Sequence, residues 1–143
     1  VSPLELAELV DAHAWNDRIF LVAGGREAVV VAAELDEDDK AARLAALPEG
    51  AIEVPRPDGG TEWLWQSDYV RLRVADPDDR KRLGKALRGP GSLLRFRRAL
   101  GTRPSLRRAY GDFRRAALAD WLATRVPPPS PAEPPTPHTR GGG

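Results

Sequence analysis

Two arginine-rich stretches separated by a short break constrain this chain more than any other feature. In residues 92–101 the apolar side chains Leu93, Phe96 and Leu100 fall three and four apart. In residues 105–122 Leu106, Tyr110, Phe113, Ala117 and Trp121 fall four, three, four and four apart. Apolar positions at such spacings share one face of an α-helix. Arg95, Arg97 and Arg98 surround the first face, and Arg107, Arg108, Arg114 and Arg115 lie mostly off the second. The join at residues 101–104 is short, so the two helices are expected to pack together as a hairpin. Ser92, after the break Gly89-Pro90-Gly91, and Ser105, after Pro104, are the expected N-caps. Gly101 is expected to end the first helix in a left-handed conformation. Gly111 lies inside the second helix, where glycine costs about 1 kcal/mol against alanine unless a close approach requires it.

Charge is divided along the chain. Residues 1–79 contain 18 acidic and 7 basic side chains, whereas residues 80–115 contain 13 basic side chains and a single acid, Asp112. The net charge of +1 hides this division. An arginine-rich hairpin suits an anionic partner, nucleic acid or an acidic protein, because a guanidinium makes paired hydrogen bonds to phosphate or carboxylate. The acidic half of the chain could also neutralise it, within the fold or across a head-to-tail homo-oligomer.

The remaining elements follow in order. Ser2-Pro3-Leu4-Glu5 is a helix start with a capping box, and Leu6, Leu9, Val10 and His13 are the expected buried stripe. That helix is expected to end near Trp15 or Asn16. Residues 19–22 and 28–32 are apolar and rich in Ile, Phe and Val, and Gly24-Gly25 between them points to a hairpin. Residues 35–47 read as a charged helix whose first turn holds Asp36 to Asp39. Residues 51–54 are a brief strand. In residues 63–74 Trp63, Trp65 and Ser67, then Val70, Leu72 and Val74, alternate with other side chains, which predicts strand with both indoles on one side. Asp76-Pro77 opens a helix through Leu83 and Leu87, ending at Gly89. Residues 127–137 hold seven prolines and residues 141–143 are glycine, so 127–143 reads as a disordered tail.

These elements predict one α+β domain over residues 1–126, a small mostly antiparallel sheet packed with helices. The sheet is expected to carry the Ile19, Val29, Ile52 and Trp65 regions. The expected core comprises Leu6, Leu9, Ile19, Leu21, Val30, Leu44, Leu72, Leu83, Leu87, Leu93, Phe96, Leu100, Tyr110, Phe113, Ala117 and Trp121.

Chemistry-bearing motifs are sparse. Cys is absent, so disulfides and thiolate chemistry are excluded. His13 is the only histidine before the tail, and the run Asp36 to Asp39 lacks calcium-loop spacing, so no metal or cofactor site is expected. No apolar run is long enough to span a membrane and no secretory signal is read, which gives a cytoplasmic expectation with no membrane partner. No catalytic set is assigned. The expected polyanion contacts are Arg95, Arg98, Arg107, Arg108, Arg114 and Arg115, and Trp63 with Trp65 form an expected aromatic surface. The reading is a non-enzymatic binding or regulatory protein. Its alternatives are a protein-interaction module that never touches nucleic acid, and a small enzyme with an acidic or His13-containing pocket.

The segment Gly91-Ser92-Leu93-Leu94-Arg95-Phe96-Arg97-Arg98-Ala99-Leu100, followed by Tyr110, Phe113, Arg114, Arg115, Ala117 and Trp121-Leu122, resembles the UPF0158 family of uncharacterised bacterial proteins. That family carries a Gly-x-x-Ala-Phe-Arg-Arg-Phe-Lys-Asp-like segment. Leu94 stands where the family tends to have Phe, and Arg98-Ala99 replaces its Lys-Asp end. The resemblance covers residues 76–122. It implies a small bacterial cytoplasmic protein and brings no established activity or catalytic residues.

Overall fold

The computed structural model describes residues 1–129, so the expected tail, apart from its first three residues, lies outside the described residues. The chain is an α+β fold with the order α1 (Pro3–Ala12), β1 (Arg18–Val22), β2 (Glu27–Val31), α2 (Glu37–Ala45), β3 (Ile52–Glu53), α3 (Gly59–Arg73), α4 (Pro77–Ala86), α5 (Ser92–Gly101) and α6 (Pro104–Ala123). Its contacts divide into two compact units. Among the described residues, one contains 1–2, 16–54 and 126–129, and the other contains 3–15 and 55–125.

The first unit is built on an antiparallel sheet of order β2-β1-β3. Ile19 pairs with Val30 and Leu21 with Ala28 on one side of β1, and Phe20 pairs with Glu53 on the other. A central strand must satisfy both neighbours, and Ile19 to Val22 are all buried, as a continuous apolar run predicts. The hairpin turn needs its glycines. Ala23, Gly24 and Gly25 all have positive φ, 53°, 67° and 84°, a conformation that only glycine adopts freely. The chain at Pro128 and Pro129 lies against Gly25, where a Cβ would stand 3.3 Å from Pro129 Cα. Arg18 and Glu53 face each other across β1 and β3 in a two-bond fork of 2.8 and 2.7 Å. The Arg18 guanidinium holds the Glu53 carboxyl below its ordinary range. Helix α2 is shorter than expected. Asp36 caps it, accepting from Asp39 N at 2.8 Å, and none of its residues is fully buried, so Leu44 is not core.

The second unit is helical. Its principal core joins Tyr69, Val70 and Val74 of the α3 region, Leu83 and Leu87 of the α4 region, Phe96 and Leu100 of α5, and Tyr110 of α6. Aromatic edges hold it: Tyr69 lies 5.2 Å from Tyr110, and Tyr110 lies 5.3 Å from Phe96. The expected α5–α6 hairpin forms. Helix α1 lies against α6; α1 buries Leu6, Ala7 and Val10, and the second half of α6 buries Leu118, Ala119 and Leu122. Helix α1 ends at Ala12 rather than near Trp15 or Asn16, so His13 lies beyond it.

The main correction concerns residues 63–74, which form helix up to Arg73, with Val74 as its cap, rather than strand. Asp58 caps α3, its Oδ1 accepting from Thr61 N at 2.7 Å, and that bond holds the Asp58 carboxyl below its ordinary range. The buried side chains Gln66, Tyr69, Val70 and Val74 fall three, one and four apart, a helical spacing. The apparent alternation of Leu72 with Arg71 and Arg73 belongs to the exposed end of the helix. Leu72 is 58% exposed and is not core. Leu9, Val30, Leu93, Phe113, Ala117 and Trp121 are only half-buried. Two caps also differ. Gly91, at φ 76°, precedes α5 in place of Ser92, and Arg103 precedes α6 with Pro104 in the first turn. Gly101 is still helical, and Thr102 ends α5 with a right-handed backbone.

Candidate functional site

The six arginines assigned to polyanion contact separate into two groups. Arg114 is the most enclosed. Its Nε donates to Glu62 Oε1 at 2.9 Å, its Nη2 to Glu62 Oε2 at 2.7 Å, and its Nη1 to Asp11 Oδ1. Its side chain is 16% exposed and that of Glu62 13%. The fork to Glu62, aided by Asp11, pushes the Arg114 pKa upward against the cost of burial. Arg115 reaches Asp11 Oδ2 at 3.7 Å and Asp112 Oδ1 at 3.3 Å. Arg95 folds back on the turn before its own helix. It donates to the carbonyls of Ala86 at 3.0 Å and Pro90 at 2.9 Å, and also to that of Arg88. The Ala86 carbonyl is one that the end of α4 leaves without a helical partner, and those of Arg88 and Pro90 belong to the turn that joins α4 to α5.

Arg98, Arg107 and Arg108 are different. All three are exposed and none forms an ion pair among the described residues. On α5 the inward positions are taken by Phe96 and Leu100, so Arg98 and its neighbour Arg97 project outward. On α6 Leu106 and Tyr110 turn inward and Arg107 and Arg108 outward. The hairpin therefore presents one set of guanidiniums to solvent and spends another on its own framework.

The two indoles do not form one surface. On a helix, residues two apart point in nearly opposite directions. Trp63 Nε1 donates to Leu87 O at 2.9 Å. Trp65 meets Trp121 edge-on, with centroids 6.4 Å apart, and the Arg114 guanidinium stands 5.9 Å from its ring.

A cleft of about 370 Å³ gathers Asp11, His13, Arg56, Glu62, Arg97 and Arg114, the titratable cluster that an enzymatic reading calls for. Its carboxylates are occupied by Arg114, and Arg56 donates to the carbonyls of Val10 at 3.3 Å and Ala14 at 3.0 Å. The arrangement is that of a buttress between α1, α3 and α6. Behind it, burial raises the Tyr110 hydroxyl pKa. Among the described residues no group of three or more His, Asp or Glu side chains is placed to hold a metal ion. No helix among them is long and apolar enough to cross a membrane.

Sequence reasoning missed Asp79, 4% exposed, which receives Arg103 at 3.0 Å and Arg82 at 3.4 Å. The signal was available: Asp79 stands three residues before Arg82, one helical turn. Arg71, Arg80 and Arg88 were also missed as a group, because two separate helices bring them to one groove.

No family model, curated protein or solved structure matches the chain. The likeness of residues 76–122 to the UPF0158 family therefore rests on those residues alone.

Proposed function

We propose that this chain binds a polyanion, nucleic-acid phosphate first, through the outward arginines of α5 and α6. One observation carries the reading: Arg98, Arg107 and Arg108 are exposed on one hairpin with no carboxylate partner among the described residues. Arginines placed in this way meet a phosphate backbone without reading bases, so binding is salt-dependent and weakly sequence-selective. The role is binding rather than catalysis. An acidic protein is the second reading. It is favoured by Leu94, 56% exposed on the same helix as Arg97 and Arg98, because apolar contact beside guanidiniums suits a protein surface better than a phosphate backbone.

Fluorescence anisotropy with labelled DNA and RNA across a salt series tests the proposal. The comparison variant is Arg98→Ala/Arg107→Ala/Arg108→Ala, which leaves Arg114 and its carboxylates intact. Binding that weakens with salt, and whose salt slope falls by about 0.9 for each lost duplex contact, supports it. No binding by the unmodified chain at low salt overturns it and directs the search to acidic proteins.

A further inference from the structure

A second cationic feature lies away from the α5–α6 arginines. Helices α3 and α4 enclose a groove of about 380 Å³, to which α3 contributes Trp63, Ser67 and Arg71. The α4 side contributes Arg80, Gly84 and, just beyond the helix end, Arg88. Arg80 and Gly84, four residues apart, share one face of α4, and Arg88 follows in the turn beyond the helix end. Glycine at position 84 leaves a gap in this wall of the groove where other residues would place a side chain. Nothing lies within 4 Å of where a Cβ at Gly84 would stand.

The groove is lined by three arginines and by no carboxylate. Arg80 and Arg88 form no ion pair among the described residues. Arg71 meets Asp68 at 2.9 Å, but both side chains are largely exposed, and such a pair is weak enough to yield to a phosphate. Trp63 adds a fixed aromatic surface. Its N–H is held by Leu87 O, so the ring is oriented in advance, and the residue is 38% exposed. Ser67 adds a neutral hydroxyl. Guanidiniums for an anion, an oriented indole for a flat ring and a volume in the range of small-ligand sites coincide here.

We propose that the α3–α4 groove binds a single nucleotide, its phosphate on Arg71, Arg80 and Arg88 and its base against Trp63. The nucleotide is either free or part of an unpaired strand, since a base in a duplex cannot leave its stack to reach a groove without first being unpaired. The site shares no residue with the arginines of the α5–α6 face, so either assignment can fail alone.

Titration of the full chain with adenosine monophosphate, inorganic phosphate, a single-stranded oligonucleotide and its duplex, followed by the indole N–H resonances, tests this. Adenosine monophosphate or the single strand is expected to move the Trp63 resonance and to bind more tightly than inorganic phosphate. Response to the mononucleotide identifies a free ligand, and response to the single strand alone identifies a strand. Arg80→Gln/Arg88→Gln is expected to weaken binding about tenfold or more, and Trp63→Leu about tenfold. Gly84→Leu fills the gap while replacing glycine in a helix, so it is expected to raise Tm and abolish binding. An unmoved Trp63 resonance overturns the proposal, as does equal affinity for inorganic phosphate and adenosine monophosphate. Undiminished binding by the folded Gly84→Leu variant also overturns it. These outcomes leave the α5–α6 reading standing, because its triple variant is scored separately.

Discussion

Arg107-Arg108 and Arg114-Arg115 are the same dipeptide, about two turns apart on α6. The first pair is exposed with no carboxylate partner among the described residues, whereas Arg114 is enclosed by Glu62 and Asp11 and Arg115 touches Asp11 and Asp112. Helical phase does not decide the difference, because positions seven apart lie within about 20° of each other around the helix. Position along the axis decides it: Glu62 of α3 and Asp11 of α1 reach the level of Arg114 and Arg115. No acid among the described residues pairs with Arg107 or Arg108, one heptad earlier. An arginine count along a helix thus mixes framework and surface.

The comparison breaks if Arg114 proves dispensable. Arg114→Ala strands two partly buried carboxylates and is expected to cost about 3 kcal/mol in urea unfolding. Arg95→Ala removes a charged donor from the carbonyls that close the α4–α5 turn. The expected loss is about 1.5 kcal/mol, measured in the same way, with little change in the salt slope of polyanion binding. Gly111 lies between the two arginine pairs, and nothing stands within 4 Å of its missing Cβ. Gly111→Ala is therefore expected to stabilise the chain by about 1 kcal/mol, read as a rise in the urea midpoint. Arg107→Ala/Arg108→Ala sharpens the comparison from the other end. Stability is expected to stay within about 0.5 kcal/mol while the duplex salt slope falls by about 2.

Much of the fold was legible because its signals are local. Asp76-Pro77 marks the start of α4, Gly24-Gly25 marks the hairpin, and the spacing of Phe96, Leu100 and Tyr110 marks the faces that meet. Residues 63–74 misled because Val70, Leu72 and Val74 alternate with Tyr69, Arg71 and Arg73, whereas only Val70 and Val74, four apart, are buried and Leu72 is exposed; period two and period 3.6 both fit so short a stretch. The stronger signal was Asp58 before Gly59-Gly60, a helix cap whose Oδ1 accepts from Thr61 N. The division among the arginines was not legible at all. Nothing local to Arg114 announces Glu62, 52 residues away, or Asp11, 103 residues away. The groove arginines were hidden for the same reason, since Arg71 and Arg80 belong to different helices.

That distance between Asp11 and Arg114 also sets an order of events on the ribosome. Among the described elements helix α1 precedes all the others and its partner α6 follows them, with the sheet unit inserted between the two in sequence. The β1–β2 hairpin can close as soon as its own residues are out. The helical unit cannot seat α1 until nearly the whole described chain has been synthesised. Throughout that interval Leu6, Ala7 and Val10 lack the helix that lies against them in the finished fold, so nascent chains stalled before residue 104 are the ones that present this stripe to chaperones.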